Sequence, residues 1–236
     1  MSNLLQMNSL GDGYRALVIG ASGALGAAFC ALLNEDPLCV GVRELGRNSS
    51  PRLDLGQPES IAQAAAALTE EAPYQLIINA AGLLHRDEIT PEKSFSAIEH
   101  EALSAVFQVN TLGPALVLRH FLPLLDSCGA MAMLSAKVGS IGDNRLGGWY
   151  AYRASKAALN MLIKTAAIEV ARTRPHTRLL SLHPGTVSSA LSQPFRGAAT
   201  ARPAKLAAHE LLTLIDRLGP ADSGNFFAYD GQRLPW

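Results

Sequence analysis

The chain has no surplus of charge of either sign: 20 Lys and Arg balance 20 Asp and Glu, for a formal net charge of zero. That removes the electrostatic footprint of a nucleic-acid binder, and no local Lys/Arg cluster restores it. No apolar run reaches the length that spans a bilayer, so no membrane association is expected. Residues 1–15 lack a basic start followed by an apolar stretch and do not read as a signal peptide. Cysteine is scarce. Cys30, Cys39 and Cys128 are odd in number, far apart and not in CxxC spacing. This argues against a disulfide framework and suits free thiols in a reducing, cytoplasmic setting. His85, His100, His120, His176, His183 and His209 form no HxxxH pair, so no metal site is expected. No linker, low-complexity tract or solenoid repeat divides the sequence.

What is present fits one compact domain over residues 1–236, with 48% apolar and 17% charged residues. Short β-rich runs alternate with longer Ala/Leu-rich helical runs. Strands are expected at Arg15–Ile19, Leu38–Val42, Gln75–Asn79, Ala130–Ser135, Arg178–His183 and Asn225–Tyr229. Helices are expected over Gly23–Asn34, Pro58–Glu70, Glu99 to about Leu125 with a bend at Gly113-Pro114, Ser155–Thr173 and Ala204–Leu218. Gln75–Asn79 is almost wholly apolar without alternation, as a strand covered on both faces requires. The pattern predicts an α/β fold, a doubly wound parallel sheet of about seven strands with helices on both faces. The segment 185–203 is long for a loop in a compact domain and is expected to be a mobile substrate loop.

Between the first strand and the first helix lies Gly20-Ala21-Ser22-Gly23-Ala24-Leu25-Gly26. A turn that brings a helix N-terminus to a pyrophosphate needs little bulk where backbone and phosphate approach, and Gly20, Ala24 and Gly26 meet that need. A dinucleotide cofactor is the implied ligand. In such folds the end of the second strand reads the adenosine ribose, an acid favouring the free 2′-hydroxyl and an Arg the 2′-phosphate. Arg43 and Arg47 point to NADP(H) and Glu44 to NAD(H). The balance leans to NADP(H) and leaves NAD(H) open.

Tyr152 and Lys156 are four positions apart and share a face if their segment is helical. A phenol titrates near 10, too high for proton exchange at neutrality, and a nearby ammonium favours the phenolate. The pair is therefore the candidate proton-transfer site.

From Leu17 to about Tyr229 the order of motifs resembles the short-chain dehydrogenase/reductase family. The matching pieces are the glycine turn, Leu53-Asp54-Leu55, Asn79-Ala80-Ala81-Gly82, Asn110, Tyr152-x-x-x-Lys156 and Pro184-Gly185-Thr186-Val187. Gly139–Asn144, Gly147–Tyr152 and the ending Phe226–Gly231 are similar to the branch of C-factor-like proteins and sniffer-type carbonyl reductases. The resemblance implies a Rossmann-type fold and a nicotinamide-dependent oxidoreductase. Tyr152, Lys156, Asn110 and Ser135 would be catalytic. Gly20, Ser22, Ala24, Leu25, Gly26, Asp54, Leu55, the Asn79–Gly82 turn and Pro184–Val187 would hold the cofactor, with Lys156 on the nicotinamide ribose and Ser189 by the carboxamide.

One departure stands out. The family usually ends the strand before the Tyr/Lys helix with a serine that polarises the substrate oxygen, and alignment on Gly139 puts Ala136 there. Ser135 is one residue early, and a one-residue shift reverses the face of a strand. Either the backbone brings Ser135 in, or Ser140 substitutes, or Tyr152 acts alone. The pocket candidates Leu83, Leu84, Lys137, Val138, Arg145, Trp149, Leu191 and Phe195 suggest a small, largely apolar carbonyl or alcohol substrate. The Ser155–Thr173 helix is apolar on most of its circumference, which predicts a homodimer or homotetramer. A cofactor-binding sensor or signalling protein with weak or no turnover is the alternative.

Overall fold

The computed structural model describes residues 5–86, 89–195 and 200–236. Six strands form one parallel sheet in the order β2-β1-β3-β4-β5-β6, against the seven or so expected. They are β1 (Tyr14–Ile19), β2 (Cys39–Leu45), β3 (Tyr74–Asn79), β4 (Leu125–Leu134), β5 (Arg178–His183) and β6 (Phe226–Ala228). All six runs expected from the sequence are among them. Only residues 46–52 separate β2 from Leu53. That stretch adds no strand, and among the described residues none pairs with β2 on its far side, so β2 is an edge.

The helices are α1 (Ala24–Glu35), α2 (Pro58–Ala67), α3 (His100–Phe107), α4 (Gly113–Phe121), α5 (Tyr150–Val170) and α6 (Ala204–Arg217). Strand alternation sorts the core into two layers. Ala16, Val18, Ala130, Ala132 and Leu134 pack with α1 and α6, including Phe29, Leu33 and Leu211. Leu17, Ile19, Met131 and Met133 face the other way, with Ile61 of α2, Phe121 of α4 and Ile163 of α5. Both faces are thus covered by apolar helix, the condition a parallel sheet imposes.

The expected long helix is interrupted earlier than its proline suggests. Gln108–Leu112 is a π-helical turn, and Gly113-Pro114 instead opens α4, where a missing N–H costs nothing. The whole stretch His100–Leu124 is long and apolar enough by composition to cross a bilayer, yet here Val117, Leu118 and Phe121 are buried in the domain core. Of the expected substrate loop 185–203, residues 196–199 lie outside the described residues. Its base is closed by a parallel bridge between Val187 and Arg202.

The chain leaves β1, forms β2 on one side, and returns to place β3 on the other side of β1. A crevice at the carboxyl ends of β1 and β3 follows from that reversal, and in open α/β sheets this is where ligands sit.

Candidate active site

The crevice is a cleft of about 520 Å³. The glycine turn is its floor. Gly20 has φ +82, and a Cβ there would lie 2.8 Å from the Ala81 amide nitrogen, so the two loops could not meet with any larger residue. Gly26 does not face the cleft. A Cβ on it would lie 2.1 Å from the Gly20 carbonyl oxygen, so it serves the close packing of α1 on the turn. Ser22, Ala24 and Leu25 line the cleft with Gly20.

At the far end, Arg47, Asp54 and Leu55 line the cleft, joined by Gly46 and Leu53. Asp54 is fixed by its own loop: its Oδ1 accepts from the Gly56 amide at 2.9 Å and its Oδ2 from Arg52 at 3.1 Å. Arg43 is a correction. It pairs in register with Leu17 and therefore points to the α2 face, where Nε donates to Glu71 at 2.9 Å and a second nitrogen closes the ion pair. Glu71 also accepts from the Tyr74 hydroxyl, so Arg43 is engaged away from the cleft. Glu44, one residue on, faces α1 and sits close enough to Cys30 to help raise that thiol, which burial chiefly pushes up to about 12. Of the three charges weighed for the ribose, Arg47 alone reaches the cleft, and it makes no ion pair among the described residues.

Ala80, Ala81 and Gly82 form the roof; Asn79 stands behind them, its Oδ1 accepting from the Ala81 amide at 3.1 Å. Asn110 lies in the π-helical turn and is fully buried. Its amide brackets Leu83, Oδ1 accepting from the Leu83 N–H and Nδ2 donating to the Leu83 carbonyl, both at 2.7 Å. Nδ2 also reaches Ser155 Oγ at 3.1 Å, and Ser155 donates to the Tyr152 carbonyl. Asn110 thus braces the roof against α5 from behind and does not itself line the cleft. π-helical turns recur at functional sites because they re-aim one residue without ending the helix.

Helix α5 begins at Tyr150, earlier than expected, so Tyr152 and Lys156 both lie on it and both line the cleft. Lys156 Nζ is buried, donates to the Leu134 carbonyl at 2.8 Å, and lies 5.8 Å from the Tyr152 ring centroid. Burial lowers the ammonium to about 8. The phenol moves against expectation: burial pushes Tyr152 up to about 12. Desolvation of the phenolate is the cause, and the Lys156 ammonium, 5.8 Å from the ring centroid, does not offset it.

The serine question resolves through strand parity. Met131 and Met133 face α5, and Ser135, two further on, follows them. It lines the cleft with Tyr152 and Lys156, whereas Ala136 does not. Ser140 is also excluded: it is buried, and its Oγ accepts from the Asp143 amide at 3.1 Å. Ser135 is 4% exposed and its Oγ has no partner among the described residues. An unpaired buried hydroxyl at the wall of a cleft marks a place where a ligand oxygen can bond.

Pro184 and Ser189 line the cleft, while Gly185, Thr186 and Val187 do not. Among the pocket candidates, Leu83 and Leu191 line it; Trp149 and Phe195 pack together beside Tyr152. Lys137 pairs with Asp143, and Arg145 is exposed, so neither faces it. His85 and Arg86 line the cleft and were not anticipated. Their position three and four residues after Gly82 was the available signal.

A cleft with a glycine floor at a helix N-terminus, one free Arg at the ribose end, and an orphan hydroxyl beside a Tyr/Lys pair fits a nicotinamide dinucleotide. Gly82 stands next to that pair: a Cβ on it would be in ordinary contact, 3.5 Å from both Asn110 Oδ1 and Lys156 Nζ.

Residues 14–199 match the family model described as short chain dehydrogenase. The chain is 32% identical over 192 residues to 1-hydroxy-2-glutathionyl-2-methyl-3-butene dehydrogenase of Rhodococcus sp. (strain AD45), covering 81% of each. It is 36% identical over 142 residues to the C-signal protein of Myxococcus xanthus, covering 59% of this chain and 81% of that one. Among solved structures, the carbonyl reductase Sniffer of D. melanogaster has the same fold, with a TM-score of 0.82 at 24% identity over 95% of this chain and 100% of that one.

Proposed function

The chain belongs to the short-chain dehydrogenases, which work with NAD(P)(H), and we propose that it is an NADP(H)-preferring reductase of small, largely apolar carbonyl compounds. The observation that carries this reading is the convergence of Ser135, Tyr152 and Lys156 on one cleft wall. In the reductive direction a carbonyl, the reduced cofactor and one proton give the secondary alcohol and the oxidised cofactor. When the cofactor is bound, its reduced nicotinamide would supply the hydride. The protein supplies the proton and the charge stabilisation.

Tyr152 is the proton donor. With its pKa raised to about 12, it holds its proton at neutral pH, as reduction requires. Ser135 Oγ, lacking any other partner, donates to the same substrate oxygen as negative charge develops there. Lys156 is charged below about pH 8, holds the ribose hydroxyls, and its field eases the phenolate left after transfer. Asn110 holds the Leu83 backbone and, through Ser155, the first turn of α5. Gly20, Ser22, Ala24, Leu25, Asp54, Leu55, Ala80, Ala81, Gly82 and Pro184 hold the cofactor, and Arg47 takes its 2′-phosphate.

Leu112, Met161 and Ile168 are more than half exposed on the α4–α5 side. They support a homodimer through these helices, and a sedimentation mass of one chain would refute the dimer. Oxidation of NADPH or NADH with aldehydes, ketones, quinones and a glutathionyl substrate, in wild type and Tyr152→Phe, tests the enzymatic reading. No turnover with any of them, together with tight cofactor binding, would favour the signalling alternative that the C-signal likeness supports.

A further inference from the structure

Helix α5 carries Tyr152 in its first turn, yet its start has none of the usual capping chemistry. The residue before it is Trp149, which supplies no side-chain cap. Ser, Thr, Asp or Asn normally fill that place because their oxygens satisfy the free N–H groups. Trp149 also sits at φ 55, ψ 45, the left-handed region, and is alone among non-glycine described residues in having positive φ. A bulky residue holds that conformation only when its surroundings impose it, and such residues gather at functional sites.

The imposing group lies 59 positions before Ala151 in the sequence. Glu92 is 5% exposed. Its two carboxylate oxygens accept from the Ala151 amide at 3.3 and 3.2 Å, and its backbone carbonyl accepts from the Trp149 amide at 2.6 Å. Gly148, at φ +65, lets the chain pass: a Cβ there would stand 3.4 Å from that same carbonyl. No ion pair meets Glu92 among the described residues. Burying a carboxylate is costly, and the positive end of α5 is what offsets it.

The position so fixed is read by aromatic rings. The Trp149 indole stands edge-to-face on Tyr152, with centroids 6.2 Å apart at 78°. Its other neighbour is Phe195, 5.0 Å away, which in turn meets His85 at 5.5 Å. Ring contacts of this kind restrict rotation of the partner.

We propose that Glu92 is a positioning residue for Tyr152: it caps α5 from the β3–α3 connection and pins Trp149 in the conformation that orients the tyrosine ring. This rests on the reading of Tyr152 as the proton donor. The property that matters is an acceptor at the right reach, so glutamine should replace glutamate and aspartate should not.

The experiment compares Glu92→Gln, Glu92→Asp and Glu92→Ala, with NADPH affinity by fluorescence and carbonyl reduction under saturating NADPH. Misplacing a reacting group by about 1 Å costs on the order of a hundredfold. Glu92→Ala should lose about tenfold to a hundredfold in kcat with NADPH affinity within about twofold of wild type. Glu92→Asp should follow it, and Glu92→Gln should stay within about threefold of wild type. If Glu92→Ala does not fold, the Asp and Gln variants carry the comparison alone. Equal kcat in those two, or loss of NADPH affinity in step with kcat, would overturn the proposal. Hydrogen exchange of the Ala151 amide needs no substrate. Protection kept in Glu92→Gln and lost in Glu92→Asp is expected, and unchanged protection in both overturns the proposal even if the wild type reduces nothing.

Discussion

Replacing Ser135 with alanine should make this protein more stable and less active, and both effects follow from one atom. Ser135 Oγ is buried and has no hydrogen-bond partner among the described residues. Leaving a polar group buried and unpaired costs about 1–3 kcal/mol, and the methyl of alanine carries no such cost. The hydroxyl is a small group at a cleft wall, so the cavity penalty for removing it is slight, and a net gain of about 1 kcal/mol is expected. In a domain of this size that raises Tm by roughly 2–4 °C. Loss of one donor to a developing oxyanion costs about a hundredfold to a thousandfold in kcat. Thermal unfolding without ligand and initial rates of NADPH oxidation read the two effects separately. The reasoning fails if Ser135→Ala retains kcat within about threefold of wild type, since a hydroxyl bonded to the substrate oxygen could not be so cheap to lose. A fall in Tm would refute the other half, by showing that the hydroxyl already had a partner.

Tyr152→Phe should lower kcat by about a hundredfold or more and leave cofactor affinity intact, as titration by fluorescence would record. Arg47→Ala should weaken NADPH binding by about tenfold or more while sparing NADH, and Arg43→Ala should leave that preference unchanged. Equal effects of the two would show that Arg47 is not the ribose reader. The Lys156 ammonium, lowered to about 8 by burial, predicts a pH dependence with a definite sign. Between about pH 8 and 10.5 the unfolded chain holds that proton more often than the folded one, so this group makes stability rise with pH there. Denaturant unfolding of wild type and Lys156→Met at pH 7.5 and 9.5 should show the rise in the former and its loss in the latter. Over the same interval NADPH oxidation should decline as the cation is lost.

Much of the fold was legible because it rests on local periodicity. Arg178–His183 has the same limits in sequence and structure, and the two-residue period from Met131 through Met133 already points Ser135 at α5. What stayed hidden depends on long-range partners. The face of Arg43 follows from its register against Leu17, and its engagement from Glu71, 28 residues on. The cap supplied by Glu92 has no signature near Trp149, since the two segments meet only in the folded chain. Burial pushes the Tyr152 phenol up, and burial depends on what packs around it in the fold, which the spacing to Lys156 does not reveal. Gly113-Pro114 drew attention to a bend, while the irregular turn lies in the five residues before it.

That wide turn at Gln108–Leu112 has a consequence for how this protein can change. It holds one residue beyond what a regular spiral of the same rise would use, so shortening the segment by a single residue would give a smoother helix with better local bonding. The turns on either side would keep their register, but the widened stretch that aims Asn110 at Leu83 and Thr111 at the Ser155 carbonyl would be lost. Here a mutation that improves the secondary structure would dismantle the wall behind the catalytic helix. The segment should tolerate many side-chain exchanges and almost no change in its length.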